Sequence, residues 1–129
     1  MRRLPLILLA FTIACAAVAA GPLSIEPKTL GARQAWGDQS LVVLDVRTPA
    51  EYAEGHIPGA LNIPHTELAA RIVELSDARS RDIVVYCRSG NRTAQALKVL
   101  GDAGFTRLFH LKGDYLRWSA ENRPVTRVQ

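Results

Sequence analysis

Short, continuous apolar runs alternate with stretches of helical spacing along most of the chain. Leu41-Val42-Val43-Leu44-Asp45-Val46 follows the turn signal Gly37-Asp38, and such a run predicts a strand covered on both faces, as in a parallel sheet. Asp82-Ile83-Val84-Val85-Tyr86 repeats the pattern, Leu108-Phe109-His110-Leu111 gives a last strand, and Ala60-Leu61-Asn62-Ile63, ended by Pro64, gives a brief one. Glu26 to Trp36, with Leu30, Gln34 and Ala35, predicts a short helix. Thr66 is placed to cap a second helix from Glu67 to Leu75, with Leu68, Ile72 and Leu75 on one face. Thr93 to Leu100 forms a third, stopped by Gly101 and Gly104, and Tyr115, Leu116 and Trp118 form the buried side of a closing helix. The segment 47–58, with Pro49, Gly55 and Pro58, reads as a long irregular loop of the kind that usually carries function.

Buried strands alternating with helices imply right-handed crossovers and an α/β fold, with a central parallel sheet and helices on both faces. Ligands of such sheets sit at the carboxyl ends of the strands. The loops after Val46 and after Tyr86 both begin there, so the topology converges on one site.

The chain has 129 residues, 48% of them hydrophobic, enough for one compact core and no second domain. Its start differs from the rest. Arg2 and Arg3 precede an apolar run from Leu4 to Val18, and small residues close Val18-Ala19-Ala20 before Gly21. That pattern predicts a cleaved signal peptide over 1–20 and a domain over 21–129, exported and periplasmic, with no stable membrane insertion after cleavage. The run is shorter than the roughly 20 residues that span a bilayer. Thr12-Ile13-Ala14-Cys15 resembles a lipoprotein cleavage box only loosely, and the cut near Ala20 is preferred. Cys15 then leaves with the leader, and Cys87 remains as an unpaired thiol in an oxidising compartment, where catalysis is one of the usual reasons for keeping one.

Of the 16 Lys and Arg, two lie in the leader, which leaves 14 against 12 acidic side chains. A balance near +2 with scattered cations excludes a nucleic-acid partner, which calls for a basic stripe interleaved with aromatics. The charge of interest is local. Cys87-Arg88-Ser89-Gly90-Asn91-Arg92 stands between a buried strand and a helix, where backbone N–H groups can turn inward as an anion cradle and Gly90 permits the tight turn. The helix dipole and two guanidinium groups favour thiolate over thiol at Cys87, with no histidine partner needed. A buried structural cysteine at a strand end is common, but burial alone does not account for two arginines and a glycine directly after it.

This loop resembles the active-site loop of the rhodanese family. The likeness extends to Asp45-Val46-Arg47-Thr48-Pro49, Glu51-Tyr52, Gly55-His56-Ile57-Pro58-Gly59-Ala60 and Asn62-Ile63-Pro64 upstream, and to Leu111-Lys112-Gly113, Trp118 and Pro124-Val125 near the end. It covers about Ile25 to Val125, and the exported single-domain form is similar to periplasmic rhodaneses. Asp114 departs from the pattern, which commonly has a second glycine there. Because that position lies outside the loop, the expected consequence is a changed turn with little bearing on chemistry.

The resemblance implies a single rhodanese-like domain acting as a thiosulfate sulfurtransferase. The Cys87 thiolate takes the outer sulfur of thiosulfate, holds it as a persulfide, and yields it to cyanide or a thiol. The N–H groups of the loop 87–92 would hold the persulfide anion, and Arg88 and Arg92 would receive the anionic donor through charge-assisted hydrogen bonds. Asp45 is expected to support the loop through an arginine, and His56 to pack or cap a helix at least as readily as to move a proton. No metal or organic cofactor is required, and His65, His110, Glu51 and Glu54 show no metal-ligand or paired-acid spacing. Phosphatases related to this fold carry five residues between cysteine and arginine; here four separate Cys87 from Arg92. A persulfide carrier that serves a protein partner with little turnover of its own is the alternative reading. Arg88, directly after the cysteine, favours thiosulfate over mercaptopyruvate as donor.

Overall fold

The computed structural model describes residues 21–129. The leader expected over residues 1–20, its cleavage site and Cys15 lie outside the described residues; among those described, no helix is long and apolar enough to cross a membrane. Five strands, β1 (Leu23–Ile25), β2 (Leu41–Asp45), β3 (Leu61–Asn62), β4 (Asp82–Tyr86) and β5 (Leu108–Leu111), form one parallel sheet in the order β1-β5-β4-β2-β3. The helices are α1 (Pro27–Ala35), α2 (Pro49–Glu54), α3 (Asn91–Asp102) and α4 (Asp114–Ala120).

Side chains alternate across a strand, and the continuous apolar runs of β2 and β4 therefore feed two cores. Leu44, Val46, Ile83 and Val85 pack with Ala96, Leu97 and Leu100 of α3 on one face. Val43, Val84 and Tyr86 pack with Leu30 of α1 and Trp118 of α4 on the other. Each fully buried side chain of this size stabilises by roughly 1.5–3 kcal/mol, against about 0–1 kcal/mol for an exposed ion pair. The two apolar faces, and not the surface charges, hold the sheet. This is the α/β architecture with helices on both faces that the alternation predicts.

Three local expectations change. The segment after Val46 is not wholly irregular: Thr48 accepts from the Glu51 N–H, and the Glu51 side chain reaches back to the Thr48 N–H, a capping box with Pro49 at the first helical position. Proline has no N–H to lose there and its φ is already helical, so Pro49 starts α2. The helix expected over 67–75 is instead turns followed by a 3₁₀ segment, Ile72–Ala78, without a Thr66 cap. The β-branched pair Ile72-Val73 is a poor start for an α-helix, and the Ser76 hydroxyl donates to the Val73 carbonyl, a local alternative to helical pairing. Finally, β1 adds an edge strand beside β5.

Asp45 and Tyr86 are register partners at the ends of β2 and β4. Beyond them the chain departs in opposite directions, from β2 outward to β3 and from β4 outward to β5. That divergence opens a crevice at the carboxyl edge of the sheet, and both candidate segments border it.

Candidate functional site

Cys87 is the first residue after β4 and is 1% exposed. Three residues on, Gly90 has φ +118, a conformation open to glycine at little steric expense. This turns the Gly90 N–H back onto Cys87 Sγ at 3.0 Å, and α3 begins immediately afterwards at Asn91. The sulfur thus sits within the curl of its own loop, at the positive end of a twelve-residue helix. Arg88, Ser89 and Asn91 are exposed on the rim. The loop is also tied from the far end of the chain: the Cys87 carbonyl accepts from the Tyr115 N–H at 3.0 Å and the Arg88 carbonyl from the Leu116 N–H at 3.2 Å.

The two arginines differ. Arg88 projects into solvent beside a cavity of about 310 Å³ lined also by Arg47, Glu51, Gly55, Tyr115 and Ser119. Arg92, expected together with Arg88 to receive the anionic donor, is held in a two-point pair with Glu51, at 2.6 and 3.0 Å. The pair lowers the Glu51 carboxyl to about 2, chiefly through the Arg92 hydrogen bonds. It raises the Arg92 pKa in turn, with further contributions from Cys87 and Asp45. A larger cavity, about 910 Å³, lies along β1, β5 and α3; size does not make it the reactive one, because Cys87 and both loop arginines are absent from its walls.

Asp45, fully buried, does engage an arginine, but it is Arg47 rather than an arginine of the loop. Its carboxylate accepts from Arg47 Nε and from the second guanidinium nitrogen at 2.6 Å, and from the Tyr86 hydroxyl at 2.7 Å. Burial opposes the Arg47 charge, yet the bonds to Asp45 raise its pKa overall. Burial, followed by the Asp45 charge, pushes the Tyr86 hydroxyl far up, so it stays a proton donor. Arg47 also donates to the Gly55 carbonyl and stacks over the Tyr115 ring, its central carbon 4.1 Å from the centroid. Asp45 therefore acts on the residue preceding Cys87 and, through Arg47, on the helix that bonds the loop. His56 is 4% exposed, stacks on Tyr52 and donates through Nδ1 to the Tyr52 carbonyl. That is the packing and capping role.

Asp114 requires the main correction. It adopts φ +52 itself, and its carboxylate, 1% exposed, points into the reactive loop. Oδ1 accepts from the Cys87 N–H at 3.1 Å and from Thr93 Oγ at 2.9 Å; Oδ2 accepts from His110 Nε2 at 2.8 Å. Sequence separation hid this contact. Only the pairing of β5 beside β4 brings His110 and Asp114 to Cys87. For Glu51, by contrast, the Thr-x-x-Glu spacing after Val46 was a signal in plain view.

The Rhodanese-like domain family matches residues 26–121. The chain is 37% identical over 101 residues to a protein named sulfurtransferase of Allochromatium vinosum, covering 78% of this chain and 92% of that one. It is 34% identical over 70 residues to the thiosulfate sulfurtransferase PspE of Escherichia coli, covering 54% and 67%. In other relatives the same segment is part of a longer chain, 58% of a Synechocystis protein at 33% identity over 83% of this chain. Among solved structures, the Alr3790 protein of Anabaena superposes with a TM-score of 0.74 at 35% identity, covering 81% and 82% of the two chains.

Proposed function

This chain belongs to the rhodanese-like family, whose curated relatives include sulfurtransferases, and on that premise we propose that it moves sulfane sulfur from thiosulfate to cyanide or a thiol through Cys87. The observation that carries the reading is the Gly90 N–H aimed at Cys87 Sγ at 3.0 Å, with a helix starting directly behind it. A donor so placed favours the thiolate form of that sulfur, as nucleophile towards the donor and as leaving group when the acceptor takes the outer sulfur.

The Cys87 thiolate attacks the outer sulfur of thiosulfate. A new S–S bond forms, the bond from that sulfur to the sulfonate breaks, and sulfite leaves with the electron pair. Charge is conserved, and the persulfide terminus carries the anion. Cyanide or an acceptor thiolate then attacks the outer sulfur, which leaves Cys87 again as thiolate. Arg88 supports thiosulfate as donor because it is an exposed cation on the rim of the loop; the PspE relative is itself named a thiosulfate sulfurtransferase.

The residues before Gly21 support export to the periplasm with cleavage near Ala20. Intact mass of the protein purified from its source, before and after thiosulfate and then cyanide, tests both points. The expected result is a chain beginning near Gly21 that gains one sulfur at Cys87 and loses it to cyanide as thiocyanate. A reduced, folded protein that gains no sulfur from thiosulfate overturns the donor assignment.

A further inference from the structure

Buried carboxylates beside a sulfur that must become anionic work against that sulfur unless something moderates them. Asp114 is such a group. Its Oδ1 takes the backbone N–H of Cys87 itself, the N–H nearest in sequence to the reacting sulfur. Its Oδ2 lies against Gly90: a Cβ built on that glycine would stand 3.2 Å from Oδ2 and 3.5 Å from His110 Cε1. The carboxylate therefore touches the loop at two places, at the residue that bears the sulfur and at the one whose N–H points to it. A non-glycine residue at φ +52 is an uncommon choice, and here it aims the side chain under the loop.

We propose that Asp114 is a positioning residue for Cys87: with His110 as its donor, its carboxylate withholds the Cys87 N–H from the anion cradle and fixes a negative charge behind the sulfur that restrains its reactivity. The charged and titratable groups that face this arrangement come from every neighbouring element. His110 of β5 bonds the carboxylate directly; Arg92 of α3, paired with Glu51 of α2, is near enough to Cys87 and to Asp45 at the end of β2 to feel their charges; and Asp45 is itself paired with Arg47. Arg92 favours an anion at Cys87 and Asp114 disfavours it. The balance sets a thiol that is less reactive than the loop alone would make it.

The proposal rests on the reading of Cys87 as the sulfur-carrying nucleophile, and its test does not require a sulfur donor. The rate of Cys87 alkylation by iodoacetamide at pH 7 is measured by intact mass on the full domain. Asp114→Asn keeps an acceptor oxygen for the Cys87 N–H and for Thr93 but carries no charge; it is expected to alkylate roughly three- to tenfold faster than the parent. His110→Phe strips the carboxylate of its donor while leaving its charge, and is expected to alkylate about twofold more slowly. Opposite signs are the mark of electrostatic control, because simple loosening of the loop speeds both. Equal rates for the parent and Asp114→Asn, or acceleration in both variants, overturn the proposal. If Asp114→Asn does not fold, Asp114→Gly, which suits the positive φ, replaces it with the same expected direction. Failure of thiosulfate to load Cys87 defeats the donor assignment and leaves this measurement standing.

Discussion

The loops that follow β2 and β4 start from neighbouring register positions and are built in opposite ways. After β2, Asp45 and Arg47 are buried, and the Asp45 carboxylate is saturated by Arg47 and Tyr86. Asn62 closes the loop by donating to the Asp45 and Arg47 carbonyls. After β4, Arg88, Ser89 and Asn91 face solvent, and a single N–H addresses the sulfur. One loop is a buried polar brace and the other an exposed rim around a buried sulfur. Residues alike in kind, an arginine just past each strand, stand in unlike settings: burial and pairing fix Arg47, whereas Arg88 is exposed, as its proposed contact with the donor requires.

The largest effect on chemistry is expected at the sulfur. Cys87→Ala should abolish sulfur transfer while losing no more than about 1–2 kcal/mol of stability, since one sulfur atom leaves a small cavity; turnover in this variant ends the assignment. Arg47→Met should show the reverse. It leaves Asp45 charged and uncompensated in the core, a loss of about 3–5 kcal/mol in urea unfolding. A loss below about 1 kcal/mol would mean that water or a rearranged partner already serves Asp45, and that the brace is not rigid.

Smaller changes sharpen the picture. Arg88→Ala should raise the KM for thiosulfate roughly tenfold with kcat within about twofold, as expected when a charge-assisted contact is removed from ground and transition states alike. Glu51→Gln frees Arg92, and should lower that KM by about two- to threefold while reducing stability by about 1 kcal/mol. The Glu51 carboxyl is depressed in the folded protein to about 2 from 4.5. Its pair with Arg92 therefore contributes fully above pH 4.5 and is lost as pH falls from there towards 2. Acid unfolding of the parent and of Glu51→Gln, followed by circular dichroism, should converge across that window; curves that stay parallel would remove the pair from the stability balance.

Much of this was legible beforehand because the signals were local. The apolar runs at 41–46 and 82–86 specify buried strands by themselves, and the spacing from Cys87 to Arg92 specifies a tight loop before a helix. What stayed hidden had one of two physical origins. Pro49 looked like a breaker, although proline at the first helical position, after a capping threonine and before Glu51, promotes a helix. β1 is three residues long with only Ile25 buried, too little pattern to register. Asp114 belongs to the second kind: it lies 27 positions beyond Cys87, and no periodicity encodes a contact that depends on which strands lie side by side. The arginine that serves Asp45 was assignable to a type but not to a position, since Arg47, Arg88 and Arg92 all stood near in sequence or in expected space.

The bonds from Tyr115 and Leu116 to the carbonyls of Cys87 and Arg88 make the reactive loop depend on a segment remote in sequence. Tyr115 and Leu116 follow β5 closely, so their reach to the loop depends on β5 lying beside β4. A chain lacking α4 would keep its cysteine and lose the two bonds that frame it from the far end.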